Sequence, residues 1–222
     1  MSRWLQRLLG LAGEHPFEAA EPFQLPALPA PPNVHALEKE PEWEQVEARL
    51  RLQLVPFTVA KHDSLVVYPL HQTVVIAVVV DAPEGFAFIR HQDAARWGLA
   101  PDQLYAKAVE GLRLGSAEIK PQFTGRPNRC IALQTGDGYD AARLLIPDFR
   151  TFLGARLSKP FFAAIPNRGF LMAWSEDCEP DFHAYAHEKV MRSCAERPFP
   201  LTPDLFRVDE KVNVDDKQAA RG

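Results

Sequence analysis

Residues Arg129–Trp174 read RCIALQTGDGYDAARLLIPDFRTFLGARLSKPFFAAIPNRGFLMAW. An apolar run, Cys130–Leu133, has the length and composition of a strand and stops at the turn Gly136-Asp137-Gly138. A helix is expected next, with Asp137 as its cap and Asp140 three residues on as an approximate capping-box partner. Leu144, Leu145, Phe149, Phe152 and Leu153 supply its buried side, and Pro147 predicts a kink or a break into two pieces. Phe161–Ile165 and Phe170–Trp174 then form a hairpin around Asn167-Arg168-Gly169. Strand, helix and hairpin in this order point to an α+β domain rather than a helical bundle.

Upstream, Thr73–Val80 is almost wholly β-branched, as suits a central strand buried on both faces. A turn signal at Asp81–Gly85 returns the chain as Phe86–Ile89. Leu50, Leu52 and Leu54 alternate with Arg51 and Gln53, which predicts a half-buried strand after a short helix at Trp43–Leu50. Helices are expected over Gln92–Trp97 and from Pro101, the latter with Leu104, Tyr105, Ala108, Val109 and Leu112 as its stripe and Gly115 as its end. Ser116–Asn128 reads as loop, and an acidic start around Pro180 opens a helix running to about Glu196. The fold class is therefore α+β: a mostly antiparallel sheet with helices packed against it, preceded by a short amphipathic helix and a proline-rich linker. The expected organisation is a leader helix at 1–13, a linker at 14–41, one α+β domain at 42–208 and a charged flexible tail at 209–222.

In the leader, Trp4, Leu5, Leu8 and Leu9 share one side, opposite Arg3, Gln6 and Arg7. The segment is too short to span a bilayer, which needs about 20 apolar residues, and it lacks the form of an export signal. A weak membrane-surface anchor and a helix docked on a partner are the functional alternatives; packing on its own domain, or disorder, is the structural one. Seven prolines between Pro16 and Pro41 keep the linker extended.

In 222 residues the net charge is −4, which argues against broad electrostatic binding to nucleic acid. Cys130, Cys178 and Cys194 show no metal-finger spacing and read as reduced thiols of a cytoplasmic protein, one that could lie peripheral to the inner membrane through its leader. His183 and His187 have the i, i+4 spacing of metal ligands, but the residues between them are Ala-Tyr-Ala, without the glutamate of a zinc hydrolase. Cys194 lies about 10 Å further along the helix, too far to share an ion. No metal and no cofactor are expected, and no GxSxG, P-loop or GxGxxG occurs.

Thr73–Ile89, Trp97 through Gly111-Leu112-Arg113, Asp137-Gly138-Tyr139-Asp140-Ala141-Ala142-Arg143, Ile165-Pro166 with its following strand, and Pro200-Leu201-Thr202 onward stand in an order along residues 49–210 that resembles the YtpQ-like family of uncharacterised bacterial proteins, a domain of unknown function. Asn167-Arg168-Gly169 fits the family pattern less well, and Pro147 interrupts a helix the resemblance would make continuous. The resemblance implies a common fold and supplies no catalytic residues.

The leading functional expectation is a non-enzymatic binding or adaptor protein with a polar edge at Tyr139, Asp140, Arg143, Asn167 and Arg168. Arg126, Arg129, Arg143 and Arg168 converging on that edge would suit an unidentified protein partner or an acidic ligand. A hydrolase-like enzyme using Asp140 beside another titratable group is the alternative. The structural reading of the same string is a capped helix start with Tyr139 packed and Asp140 paired to Arg143.

Overall fold

A computed structural model describes residues 40–82, 85–125, 128–209 and 212–214. The leader residues Trp4, Leu5, Leu8 and Leu9 and nearly all of the linker lie outside the described residues.

The described chain begins with a single helical turn, α1 (Trp43–Val46), and a 3₁₀ turn, then enters β1 (Leu50–Pro56). β2 (Val67–Pro69), β3 (Val74–Ala82) and β4 (Gly85–Phe88) complete a first antiparallel sheet. β3 is its spine. β1 pairs along one edge from Leu50↔Val80 to Pro56↔Val74. The other edge is shared, β2 taking Val75–Ala77 and β4 taking Val79–Ala82. Between them the Val66 and Val78 amides donate to Ile89 and Val66 carbonyls at 2.9 and 3.1 Å, so the backbone pairing continues across the join. All of Val74–Val80 is buried, which explains the run without polar alternation.

The second sheet has the order β10–β9–β7–β8–β6–β5. Its strands are β5 (Gln122–Phe123), β6 (Cys130–Leu133), β7 (Phe161–Asn167), β8 (Phe170–Ser175), β9 (Leu205–Val208) and β10 (Val212–Val214), antiparallel throughout. Strand alternation sorts its side chains cleanly. Ile131, Leu133, Phe161, Ala163, Leu171, Ala173 and Phe206 enter the main core with the first sheet. Cys130, Ala132, Ala164, Phe170, Met172, Trp174 and Leu205 face the other way, into a second cluster. Phe182, Ala186 and Val190 of α5 (Pro180–Glu196) cover that cluster at four-residue spacing.

α2 (His91–Arg96) is followed by α3 (Pro101–Gly115), which lies on β1. Gly111 makes that approach feasible, because a Cβ there would stand 2.0 Å from the Leu50 carbonyl oxygen.

Three local expectations need correction. The helix after the Gly-Asp-Gly turn does not start at once: a 3₁₀ turn covers Ala142–Leu145, Ile146 is extended, and α4 (Pro147–Leu157) begins with Pro147 at its first position. The proline thus breaks the segment in two, and its missing N–H falls where no helical partner exists. The loop at Ser116–Asn128 contains β5. Finally, Val212–Val214 do not fray; they pair with Phe206–Val208 as β10.

Candidate functional site

The turn after β6 carries an ionic cluster in which Asp140 and Arg143 are buried and Asp137 is exposed. Asp137 Oδ1 accepts from the Tyr139 amide at 2.9 Å and from Thr135 Oγ1 at 2.8 Å, so it closes the turn locally rather than capping a helix. Arg143 passes beneath it. Its Nη1 donates to Asp140 Oδ1 at 2.8 Å and Asp137 Oδ1 at 3.1 Å, its Nη2 donates to Asp137 Oδ2, and its Nε donates to Ser116 Oγ at 3.1 Å. The Thr135 amide donates to Asp140 Oδ2 at 2.9 Å, and the Thr135 hydroxyl proton is shared between Asp137 Oδ1 and Asp140 Oδ1, the latter at 2.9 Å.

One guanidinium here serves two carboxylates. Burial pushes the Asp140 carboxyl up to about 6, against the pull of the Arg143 charge, and the Asp137 charge adds to the rise. Burial also works against ionised Asp137, but the Arg143 hydrogen bonds, followed by the Arg143 charge and the Tyr139 and Thr135 donors, outweigh it and hold that group below its ordinary value. Asp140 and Arg143 are 0% and 1% exposed. They are therefore not part of a surface edge. The pair was expected as a weak exposed contact; in a dry interior, loss of either partner would strand the other.

Above the cluster lies a cleft of about 150 Å³ where the two sheets meet. Gln53 of β1, Asp81 of β3, Phe86 of β4, Gly138, Tyr139 and Arg168 are among the residues lining it. Gly138 has φ +78, a conformation in which glycine is strain-free, and its position brings the turn against the Arg168 side chain. Gln53 Nε2 donates to the Gly138 carbonyl at 3.0 Å and its Oε1 accepts from the Leu54 amide at 2.9 Å, which ties β1 to the turn. The Tyr139 hydroxyl donates to Asp81 Oδ1 at 3.0 Å. Burial first, and then the Asp81 charge, keep that hydroxyl protonated far above its ordinary range, so it is a fixed donor.

Arg168 is the unusual member. It sits in the β7–β8 turn, where its amide donates to the Phe199 carbonyl at 3.1 Å and its carbonyl accepts from the Ala141 amide at 3.2 Å. Its residue is only 5% exposed, and Nε is buried with no hydrogen-bond partner. Among the described residues no carboxylate pairs with the guanidinium; it rests instead on the rings of Phe199 at 4.0 Å and Phe86 at 5.0 Å. Phe199 holds its ring there with φ 57, a backbone state that costs a non-glycine residue about 1–3 kcal/mol. Burial draws the guanidinium below its ordinary value, yet a guanidinium stays charged wherever a protein is folded.

Of the expected edge, the structure brings Tyr139 and Arg168 into the cleft and buries Asp140 and Arg143 below it. Asn167 turns away: its Nδ2 donates to Ser193 Oγ at 3.0 Å, fastening the hairpin to α5. The four arginines do not converge. Arg126 lies outside the described residues, and Arg129 binds Asp177 and Ser175 at 3.0 Å each, at the opposite end of β8. His183 accepts from Trp174 Nε1 at 3.0 Å and packs edge-on to Phe162, a structural role. Asp81, Gln53, Phe86 and Phe199 were not anticipated. The available signals were faint: a polar residue among the β1 leucines, and an acid ending the β-branched run of β3.

Among the described residues no group of three or more His, Cys, Asp or Glu could hold a metal ion, and no helix is long and apolar enough to cross a membrane. The fold and cleft thus define an α+β protein with a buried arginine that no carboxylate pairs among the described residues, set in a small cleft. No family model matches the chain, and neither a curated protein nor a solved structure matches it.

Proposed function

We propose that this is a non-enzymatic cytoplasmic binding protein whose cleft receives a carboxylate on Arg168. One observation carries the reading: a buried arginine whose Nε has no hydrogen-bond partner and which no carboxylate pairs among the described residues, held in place by two aromatic rings and a strained phenylalanine backbone. Leaving a buried charged donor unsatisfied is unfavourable by about 1–3 kcal/mol or more, so a fold that retains one gains when an anion arrives. The planar fork of arginine suits a carboxylate in two parallel hydrogen bonds. A phosphate dianion is disfavoured, because Asp81 and Asp137 line the same cleft. The hydrolase alternative has less support, since both Asp140 oxygens are occupied and the residue is 0% exposed. Membership of the YtpQ-like family belongs to the same proposal and rests on the matching residues alone. The three thiols, free among the described residues, favour the cytoplasmic placement.

The test is a thermal titration with propionate in a carboxylate-free buffer. Saturable stabilisation is expected for the natural chain, reaching about 1.4 kcal/mol at tenfold excess over Kd, and none for Arg168→Met. Equal stabilisation of both proteins, or stronger stabilisation by inorganic phosphate than by propionate, would refute the reading.

A further inference from the structure

Resting on the reading of Arg168 as a carboxylate receptor, we infer that the cleft takes a small zwitterion, with its carboxylate on Arg168 and its ammonium on Asp81. Most polar groups in the cleft are already engaged. Gln53 has spent its amide on Gly138 and Leu54. Both Asp137 oxygens are engaged by Arg143. The Tyr139 hydroxyl proton is committed to Asp81. Two groups remain, and they have opposite signs.

Asp81 is the second of these. Among the described residues its carboxylate meets the neutral Tyr139 hydroxyl and no cation, and Arg49 reaches only its backbone carbonyl, at 3.3 Å. Asp81 and Phe86 are directly paired across β3 and β4, so their side chains share one face of the sheet. The Phe86 ring on that face is also one of the two that carry the Arg168 guanidinium. Asp81 thus stands beside the ring that carries Arg168, and the acid and the base line one cleft without forming an ion pair. A ligand bearing both charges satisfies both, and the Arg168 charge lies where water competes poorly.

Size narrows the class further. A space of about 150 Å³ is comparable to a cavity that accepts benzene. After a carboxylate and an ammonium are seated, room is left for a short aliphatic group against Phe86, Ala82 and Gly85. The class that fits is a small α-amino acid.

Alanine and propionate differ by the amine alone, so calorimetric titration of the full chain with each isolates the ammonium. Alanine should bind about tenfold more tightly than propionate, equivalent to about 1.4 kcal/mol. In Asp81→Asn the two should bind within about twofold of each other, and Arg168→Met should lose both. N-acetylalanine, which keeps the carboxylate and masks the amine, should bind the natural chain no better than propionate; this arm needs no substitution. Propionate or N-acetylalanine binding as tightly as alanine, or a ratio unchanged in Asp81→Asn, would overturn the zwitterion and leave the carboxylate reading standing. Failure of all three compounds to bind the natural chain would overturn both.

Discussion

Arg168→Met should leave the ligand-free protein as stable as the natural chain, or more so. The substitution removes a buried donor without an acceptor, worth about 1–3 kcal/mol in the variant's favour. It also removes cation–π attraction to Phe199 at 4.0 Å and Phe86 at 5.0 Å, a loss of about 2 kcal/mol for the two rings together. Methionine keeps an unbranched side chain against both rings and recovers about 1 kcal/mol through its sulfur. The sum lies between zero and about 2 kcal/mol of stabilisation, a rise in Tm of up to about 8 °C for a chain of this size. Equilibrium urea unfolding, followed by tryptophan fluorescence in a buffer without carboxylates, reads the change directly, and an unchanged slope would show that both proteins unfold the same way. Arg143→Met is the control: it strands Asp140 and should destabilise by about 3–5 kcal/mol. A loss of more than about 1 kcal/mol in Arg168→Met would mean that the guanidinium belongs to the packing, and the argument for an absent anion would fail.

Two further outcomes follow from the geometry. Gly111→Ala places a Cβ 2.0 Å from the Leu50 carbonyl oxygen, so α3 must shift off β1; a net loss of about 1–3 kcal/mol is expected, and unfolding with no loss would show that the helix has room to move. Because the folded-state carboxyl of Asp140 is raised to about 6, above about 3.9 when unfolded, its contribution is fully present below the lower value and is lost as pH rises through the upper one. Asp140→Asn should therefore gain on the natural chain by about 2 kcal/mol between pH 4 and 7, and a difference in stability that is flat across that range would refute the raised value.

Much of the architecture was legible because periodicity reports burial directly. The unbroken run of β3, the hairpin β7–β8 and the acidic start of α5 are all local patterns, and each element formed where its pattern placed it. Pro147 could be read as a break because a proline lacks a helical donor wherever it lies. The short strands β5 and β10 escaped because two or three residues carry no period of their own. They are strands only because a neighbour offers them a ladder.

The polar residues behave differently. Residue type alone made Asp140, Arg143 and Arg168 candidates for a solvated edge, since charged side chains are seldom buried without partners. Their true surroundings depend on distant segments: Ser116 and Thr135 complete the network around Arg143, and Phe86 and Phe199 support Arg168. Asp81 and Arg168 are 87 residues apart in sequence, and only the meeting of the two sheets brings them to one cleft. Local sequence sets which segments become strand or helix, because backbone preference and side-chain period act within a few residues. Whether a charge is paired, stranded or solvated is set by which strands stack and in what register, because burial and electrostatic partnership act through space.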